Sequence, residues 1–279
     1  MIPKVSIILP TYNGEKYIAQ AIESVFLQNF SNFELIIIND ASLDNTEKVV
    51  LESIKEDQRI KYFKNETKIG FPQSLNQGLS VSKGEYITRI DDDDVWCDKN
   101  KLKKQIEFLE ENKNYVLVGS GAIAIDNKGE ELYHFLEPEK DEEIRNYILY
   151  RNPFLHSSVI FRKDIVQKLG GYNEKVPGAC DYDLWLRIGK VGKFYNFPEY
   201  LIKFRVPPSY KNVAGVRREK LRRTLEKIDI IRHYRKNYPH FYQATCKDYL
   251  KLIYLSTFAH FSKLDNYLYQ KRQTSGWRI

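Results

Sequence analysis

The chain has 279 residues, 42% of them hydrophobic, enough for one large domain or a domain with an appendage. It carries 44 basic against 37 acidic side chains, but residues 217–279 hold 15 basic and 5 acidic, leaving 29 against 32 in the remainder. A slightly acidic body with a basic tail is a different object from a uniformly basic protein, and it predicts two roles. Cys97, Cys180 and Cys246 lie far apart and match no metal or redox spacing, which points to a reducing compartment without disulfides. The apolar run 5–9 is too short for a signal peptide and is closed by Pro10, so no export is expected. The run 252–261 falls well short of the ~20 residues that a membrane span needs.

In chain order, Val5-Ser-Ile-Ile-Leu9 reads as a buried strand, and Pro10-Thr-Tyr-Asn-Gly14 as a loop into an amphipathic helix over 17–28. Glu34-Leu-Ile-Ile-Ile-Asn39 repeats the pattern and ends in the polar, helix-capping stretch Asn39-Asp-Ala-Ser-Leu-Asp-Asn-Thr46, with a helix to residue 55. A third strand is predicted at 59–64, a helix at 71–82, a fourth strand at 85–90, a helix at 99–112 and a strand at 115–119. Strands alternating with helices of 10–15 residues imply βαβ units and a largely parallel sheet. Beyond it, 122–125 and 131–134 flank Asn127-Lys-Gly129 as a hairpin. A helix is predicted at 141–150, a strand at 156–161, a break at Gly170-Gly171, a helix at 181–191 and a last strand at 201–205 that ends at Pro207-Pro208. From Val216, a stripe of Leu221, Leu225, Ile228, Ile231 and Tyr234 predicts an amphipathic helix. Further helix follows Pro239, with Tyr249, Leu252, Ile253 and Phe258 on an apolar face.

The chemistry centres on Asp91, Asp92, Asp93 and Asp94, which follow directly on the apolar strand residues Tyr86, Ile87 and Ile90. Four like charges at a strand end raise one another's pKa unless a divalent cation neutralises them, and hard oxygen donors favour Mg²⁺ or Mn²⁺. A solvated acidic turn is the bland alternative. Position argues against it, because open α/β sheets bind ligands at the carboxyl ends of their strands. Thr11, Asn13, Asp40 and Asp44 fall at the same edge, so one crevice is expected. Asp40 suits a base edge or ribose, or equally a helix cap or Asx turn. Neither a G-x-x-x-x-G-K-[ST] loop nor a G-x-G-x-x-G turn follows the first strand, so phosphates would rely on a metal at the acid run.

Several stretches together resemble family 2 glycosyltransferases of GT-A fold. They are Val5-Ser-Ile-Ile-Leu-Pro-Thr-Tyr-Asn-Gly14, Asn39-Asp-Ala-Ser-Leu-Asp-Asn-Thr46, Asn76-Gln-Gly78 and Lys83-Gly-Glu-Tyr-Ile-Thr-Arg-Ile-Asp-Asp-Asp-Asp-Val-Trp96. The match continues through Asn152-Pro-Phe-Leu-His-Ser-Ser-Val-Ile-Phe-Arg162, Gly170-Gly-Tyr-Asn173 and Cys180-Asp-Tyr-Asp-Leu-Trp-Leu-Arg187, covering about residues 3–210. The resemblance implies a Rossmann-like, mostly parallel sheet flanked by helices, with a catalytic domain over 1–215 and a basic helical tail over 216–279. Residues 1–119 would bind nucleotide and 120–215 acceptor. It implies an inverting, metal-assisted transferase that moves a hexosyl or N-acetylhexosaminyl group from a UDP-sugar, or another nucleotide-diphospho-sugar, to a hydroxyl of a glycan or lipid-linked acceptor.

By the same resemblance, Pro10, Thr11, Tyr12, Asn13, Asp40, Asn76, Asp91 and Asp92 lie at the nucleotide, with uracil on Asp40. Asp93 and Asp94 hold Mn²⁺ or Mg²⁺, Asp181 is the catalytic base, and His156 and Arg205 are candidates for acceptor or phosphate contact. Two positions depart from the family pattern: Cys180 stands where a Glu often precedes the base, and Pro207 where relatives often carry His. Trp185, among apolar neighbours at helical spacing, is expected in the core.

Two rival readings are weaker. A metal-dependent nucleotidyltransferase or phosphatase would place its phosphate loop or Asp-x-Asp after the first strand, and a nucleic-acid-binding module would rest on the basic tail alone. The tail's charge and apolar stripe instead suggest peripheral attachment at the cytoplasmic face of the plasma membrane.

Overall fold

The computed structural model describes residues 2–54, 57–206 and 213–257. The chain divides into two compact units, Met1–Pro208 and Ser209–Ile279.

In the first unit β1 (Val5–Thr11), α1 (Ile18–Phe26), β2 (Phe33–Asn39), α2 (Thr46–Ile54), β3 (Ile60–Lys64), α3 (Phe71–Val81) and β4 (Tyr86–Arg89) follow the expected alternation. Strands β3, β2, β1 and β4 pair in parallel. β1 and β2 are buried along their whole length, as apolar runs without alternation require when both faces are covered. β5 (Val95–Trp96), α4 (Lys101–Glu111), β6 (Tyr115–Ile125), β7 (Glu131–Phe135), α5 (Asp141–Tyr147), β8 (Ile160–Arg162), α6 (Lys163–Lys168), α7 (Cys180–Ile188) and β9 (Lys193–Arg205) complete the unit. The nine strands form one sheet in the order β3-β2-β1-β4-β8-β6-β9-β5, with β7 paired to β6.

The second half differs from expectation at glycines and prolines. The expected strands at 115–119 and 122–125 are one strand, β6, of eleven residues. Gly119 and Gly121 do not break it; they admit close neighbours, since a Cβ on Gly119 would lie 2.3 Å from Asn196 Oδ1 and one on Gly121 2.8 Å from the Phe135 carbonyl oxygen. β9 begins at Lys193 rather than Leu201, and Pro198 falls where the β6–β9 register shifts between Phe197 and Tyr200. The expected strand over 156–161 is a 3₁₀ turn at His156–Ser158 followed by β8. Two short elements, β5 and α6, escape periodicity altogether. β5 pairs antiparallel with β9, which brings the acid run beside Arg205.

The second unit contains α8 (Val213–His233) and α9 (Phe241–Thr257). Ile228, Ile231 and Tyr234 of the expected stripe are buried, but Leu225 is 56% exposed and Thr224 takes the buried position. On α9 the buried residues are Ala244, Asp248 and Leu255, while Tyr249 and Ile253 are exposed, opposite to expectation. The cause is an ion pair: Lys227 Nζ reaches Asp248 Oδ2 at 2.6 Å and turns that face of α9 toward α8. Pro207, Pro208, Phe258 and Phe261 lie outside the described residues. No described helix is long and apolar enough to cross a membrane.

One buried acid ties the parallel strands together. Glu34, 4% exposed in β2, accepts hydrogen bonds from Ser6 Oγ at 2.6 Å, from the Lys83 backbone N–H at 2.6 Å and from Lys61 Nζ at 2.5 Å. Burial alone would raise its pKa, but these donors outweigh it and hold the carboxyl below its ordinary range. The sign follows: the ionised form is favoured by folding, so its stabilisation is present above the unfolded value near pH 4.5 and is lost as pH falls through the folded value. Glu34→Gln should lower urea stability by about 1–3 kcal/mol at pH 7, and its deficit relative to wild type should shrink at pH 3. Equal deficits at both pH values would contradict this account.

Candidate active site

The carboxyl ends of β1, β2 and β4 converge, and loops there are laced together before any ligand arrives. Asn13, with φ 57°, offers its backbone N–H to Ser42 Oγ at 3.0 Å and accepts the Leu43 N–H at 2.8 Å. Gly14 donates to Thr46 Oγ1 at 2.8 Å, and a Cβ at Gly14 would sit 2.3 Å from Asp92 Oδ2. Asp44 accepts from the Glu15 and Thr46 backbone N–H groups, and these bonds with the Thr46 hydroxyl outweigh burial and lower its pKa. Asp44 thus caps α2 and joins it to the first loop. Pro10 is buried within β1, whereas Tyr12 is 37% exposed with Lys68 Nζ 3.3 Å from its ring centre.

Each of the four aspartates has a different environment. Asp91 is paired bidentately with Arg89, a fully buried side chain at the end of β4. Asp92 accepts the Thr11 hydroxyl at 2.5 Å, and burial lifts its pKa to about 7 in spite of that bond. Asp94 is turned inward at 1% exposure: Oδ2 accepts from Ser157 Oγ at 2.5 Å and Oδ1 from the Arg205 backbone N–H at 3.0 Å. Burial raises its pKa well above the carboxylate range. Asp93 receives no side-chain hydrogen bond among the described residues, and burial followed by the Asp91 charge pushes its pKa to about 6.

Among the described residues no three His, Cys, Asp or Glu side chains form a ready-made metal cage. The donor set nonetheless fits a cation of the Mg²⁺ or Mn²⁺ type, which is commonly held by one or two carboxylates completed by phosphate oxygens and water. Asp93 is the carboxylate of the four that no other side chain engages among the described residues. The raised pKa values of Asp92 and Asp93 come first from burial and then from the neighbouring carboxylates, and a cation bound there would lower both.

Other expected contacts are engaged by the protein itself. Asp40 is 4% exposed, and its oxygens accept from Asn65 Nδ2 at 2.9 Å and from the Ile69 and Gly70 backbone N–H groups at 2.8 Å each. Asn76 is bound to the loop before α7, accepting the Tyr172 N–H at 2.8 Å and donating to the Tyr172 carbonyl and to Glu174. Arg205 spends its guanidinium on the Asp93 carbonyl at 2.9 Å, the Asp126 carbonyl at 2.7 Å and Gln20 Oε1 at 3.1 Å, and stacks 4.1 Å from the Tyr17 ring centre. It holds the acid turn in place from behind.

Asp181 lies in the first turn of α7, within range of the Arg89 and Asp91 charges, and accepts from Asn152 Nδ2 at 2.8 Å. Burial pushes its pKa above the ordinary range, partly offset by backbone hydrogen bonds and by Arg89. Cys180, 2% exposed, adds no charge there, since burial raises its thiol pKa. His156 Nε2 is 2.9 Å from the Tyr172 hydroxyl, and burial reinforced by Arg89 depresses the imidazole pKa well below its usual value, leaving the ring neutral. Trp185 is fully buried against Phe154, Phe161 and His156, as expected of a core residue.

Sequence reasoning missed three residues. Arg89 was hidden inside a strand pattern, although an arginine two positions before an acid run is a visible signal. Ser157 and Asn152 lie in the matching stretch 152–162 but carry no signal of their own in residue type, because their roles depend on a turn brought beside the aspartates ahead of β8.

Comparison with known proteins agrees with this architecture. The family model described as glycosyl transferase family 2 matches residues 6–170. An uncharacterised glycosyltransferase of Methanocaldococcus jannaschii is 34% identical over 224 residues, which cover 78% of this chain and 76% of that protein. A Pyrobaculum calidifontis mannosyltransferase, solved with GDP-mannose and Mn²⁺, superimposes with a TM-score of 0.65 at 17% identity, covering 94% of this chain and 71% of the other. Residues 1–349 of S. aureus TarS, solved with UDP, give a TM-score of 0.63 at 20% identity, covering 92% and 73%. With the matching family model, this relative and these folds, the chain belongs to glycosyl transferase family 2 and has the GT-A fold.

Proposed function

We propose that the protein is an inverting, metal-assisted transferase that moves a sugar from a UDP-sugar to a hydroxyl of a glycan or lipid-linked acceptor in cell-surface polysaccharide or glycoconjugate synthesis. The observation that carries this reading is a second carboxylate of raised pKa, Asp181, placed within reach of the Arg89 and Asp91 charges of the acid turn, in which Asp93 accepts no side-chain hydrogen bond among the described residues. Asp93 would hold the cation, Asp91 and Asp92 would face the ribose and diphosphate, and Thr11, Tyr12 and Asn13 would border the nucleotide. Asp94, Arg205 and Asn76 act in this reading by holding loops rather than by touching substrate. A bound divalent cation supplies charge to stabilise the departing diphosphate.

Asp181 then removes the proton of the acceptor hydroxyl as it attacks the anomeric carbon, and a single base on the face away from the leaving group gives inversion. Asn152 holds its carboxylate, and neutral His156 borders the acceptor side without competing for the proton. The uracil choice follows from acceptor capacity. A carboxylate has about four lone-pair positions. Three at Asp40 are taken, which leaves one, on Oδ2, for the single N3–H of uracil and too few for the paired donors of guanine.

For the basic tail we propose reversible attachment to an anionic membrane surface at the cytoplasmic face. Arg232, Arg235, Lys236 and Lys247 are exposed, as are Tyr242 at 81% and Leu250 at 62%. Each basic residue near such a surface contributes ~1 kcal/mol at best, and salt screens it. The full chain should therefore sediment with anionic vesicles at low salt and release at high salt. Equal binding to neutral vesicles would refute an electrostatic anchor.

The enzymatic reading is tested by incubation with Mn²⁺ and a panel of UDP- and GDP-sugars, following nucleoside diphosphate release. UDP-sugars should be the ones turned over; release from GDP-mannose alone would overturn the Asp40 argument. Asp181→Asn should lower transfer by about 10² or more while UDP affinity stays within a few-fold. Since the base must be ionised, the wild-type rate should fall on the acid side at a pH above the ordinary carboxylate range. Near-native transfer by the variant would move the base elsewhere.

A further inference from the structure

The most deeply buried basic side chain among the described residues of the first unit is not one of the expected site residues. Lys101, at the start of α4, is 0% exposed and has no acidic partner among the described residues; its Nζ donates to Gln105 Oε1 at 3.0 Å and to Thr88 Oγ1 at 3.5 Å and lies 4.2 Å from the Trp96 ring centre. Such burial depresses the amine pKa strongly, so it serves as a hydrogen-bond donor rather than as a charge. Its neighbours all reach one short segment. Gln105 Nε2 donates to the Ser158 carbonyl at 2.8 Å, Trp96 Nε1 to the Ser157 carbonyl at 3.0 Å and Thr88 Oγ1 to the Val159 carbonyl at 2.7 Å. Three successive carbonyls are thus fixed from behind by side chains that are themselves buried. From the front, Ser157 Oγ donates to Asp94 Oδ2 at 2.5 Å and accepts the Asp91 backbone N–H at 3.0 Å.

We propose that Lys101, Gln105 and Trp96 form an internal strut that sets the position of the Ser157 turn, and through Ser157 the Asp91 to Asp94 turn that receives the cation and diphosphate. The strut is a set of positioning residues, none of which touches substrate. By accepting the Lys101 bond, the Gln105 carbonyl end is fixed and its amide N–H is aimed at Ser158. Without that bond the amide can rotate and the Ser158 carbonyl loses its donor, an expensive loss in a dry interior. The effect on ligand rests on the functional reading above; the effect on the turn does not.

Lys101→Met matches the volume and removes the donor, so thermal stability should fall modestly, by the cost of a buried acceptor left without its partner, while the fold persists. Two readouts are needed. Backbone hydrogen exchange at Asp91 and across 156–160 should quicken while β1 and β2 stay protected. Affinity for UDP in Mn²⁺ should fall by about tenfold or more, the usual scale for groups that orient a metal site from behind. In a Ser157→Ala background the same substitution should add little, because both changes act through one turn. Trp96→Phe, which removes only the indole donor and part of the ring, should quicken exchange in the same segment.

Unchanged exchange in both variants overturns the strut. Faster exchange with undiminished affinity, or full additivity with Ser157→Ala, overturns its link to the acid turn. If the wild type binds no nucleotide in Mn²⁺, the functional reading fails, and the strut is then decided by exchange alone.

Discussion

Four adjacent carboxylates cannot share one turn unless each is given a separate environment. Two such charges 4 Å apart repel by about 4 kcal/mol at an effective dielectric of 20, comparable to a large part of a domain's net stability. The fold answers with one anchor per side chain: Arg89 for Asp91, Thr11 for Asp92, and Ser157 with the Arg205 backbone for Asp94. Asp93 alone of the four accepts no side-chain hydrogen bond among the described residues, which is why the proposed cation is assigned to it. The positions of β4, β5, β8 and β9 can all be read from this demand, because each delivers one anchor or aims one carboxylate.

The parallel half was legible in the sequence because its signals are local. Continuous apolar runs such as Val5-Ser-Ile-Ile-Leu9 mark strands buried on both faces, and the polar stretch from Asn39 marks a strand end. The antiparallel half was not, since Gly119, Gly121 and Pro198 punctuate a sequence in the same way whether they end a strand or let another backbone approach. The α9 face failed for a related reason: hydropathy ranks Tyr249 and Ile253 above Asp248, but the buried ion pair with Lys227 reverses that order.

At the site, residue type showed where chemistry lies but not which groups remain open to a ligand. Asp40, Asn76 and Arg205 are chemically suited to a nucleotide or phosphate, and each is largely consumed by the protein's own loops. Hydrogen-bond capacity is finite, so occupancy by internal donors decides what a side chain can still offer. The same bookkeeping separates Asp93 from Asp94, which the sequence treats alike. Cys180 in place of an acid beside Asp181 also gains a meaning: one charge fewer in that corner keeps Asp181 from being pushed still further from ionisation.

That separation of Asp93 from Asp94 is the central claim, and calorimetric titration of UDP in the presence and absence of Mn²⁺ tests it directly. Asp94→Asn keeps an acceptor for the Arg205 N–H and can donate to Ser157, so UDP should bind it in Mn²⁺ within a few-fold of wild type. Asp93→Asn should lose the Mn²⁺-dependent part of the affinity and keep the metal-free part. The reverse pattern, with Asp94→Asn abolishing metal dependence and Asp93→Asn retaining it, would contradict the account.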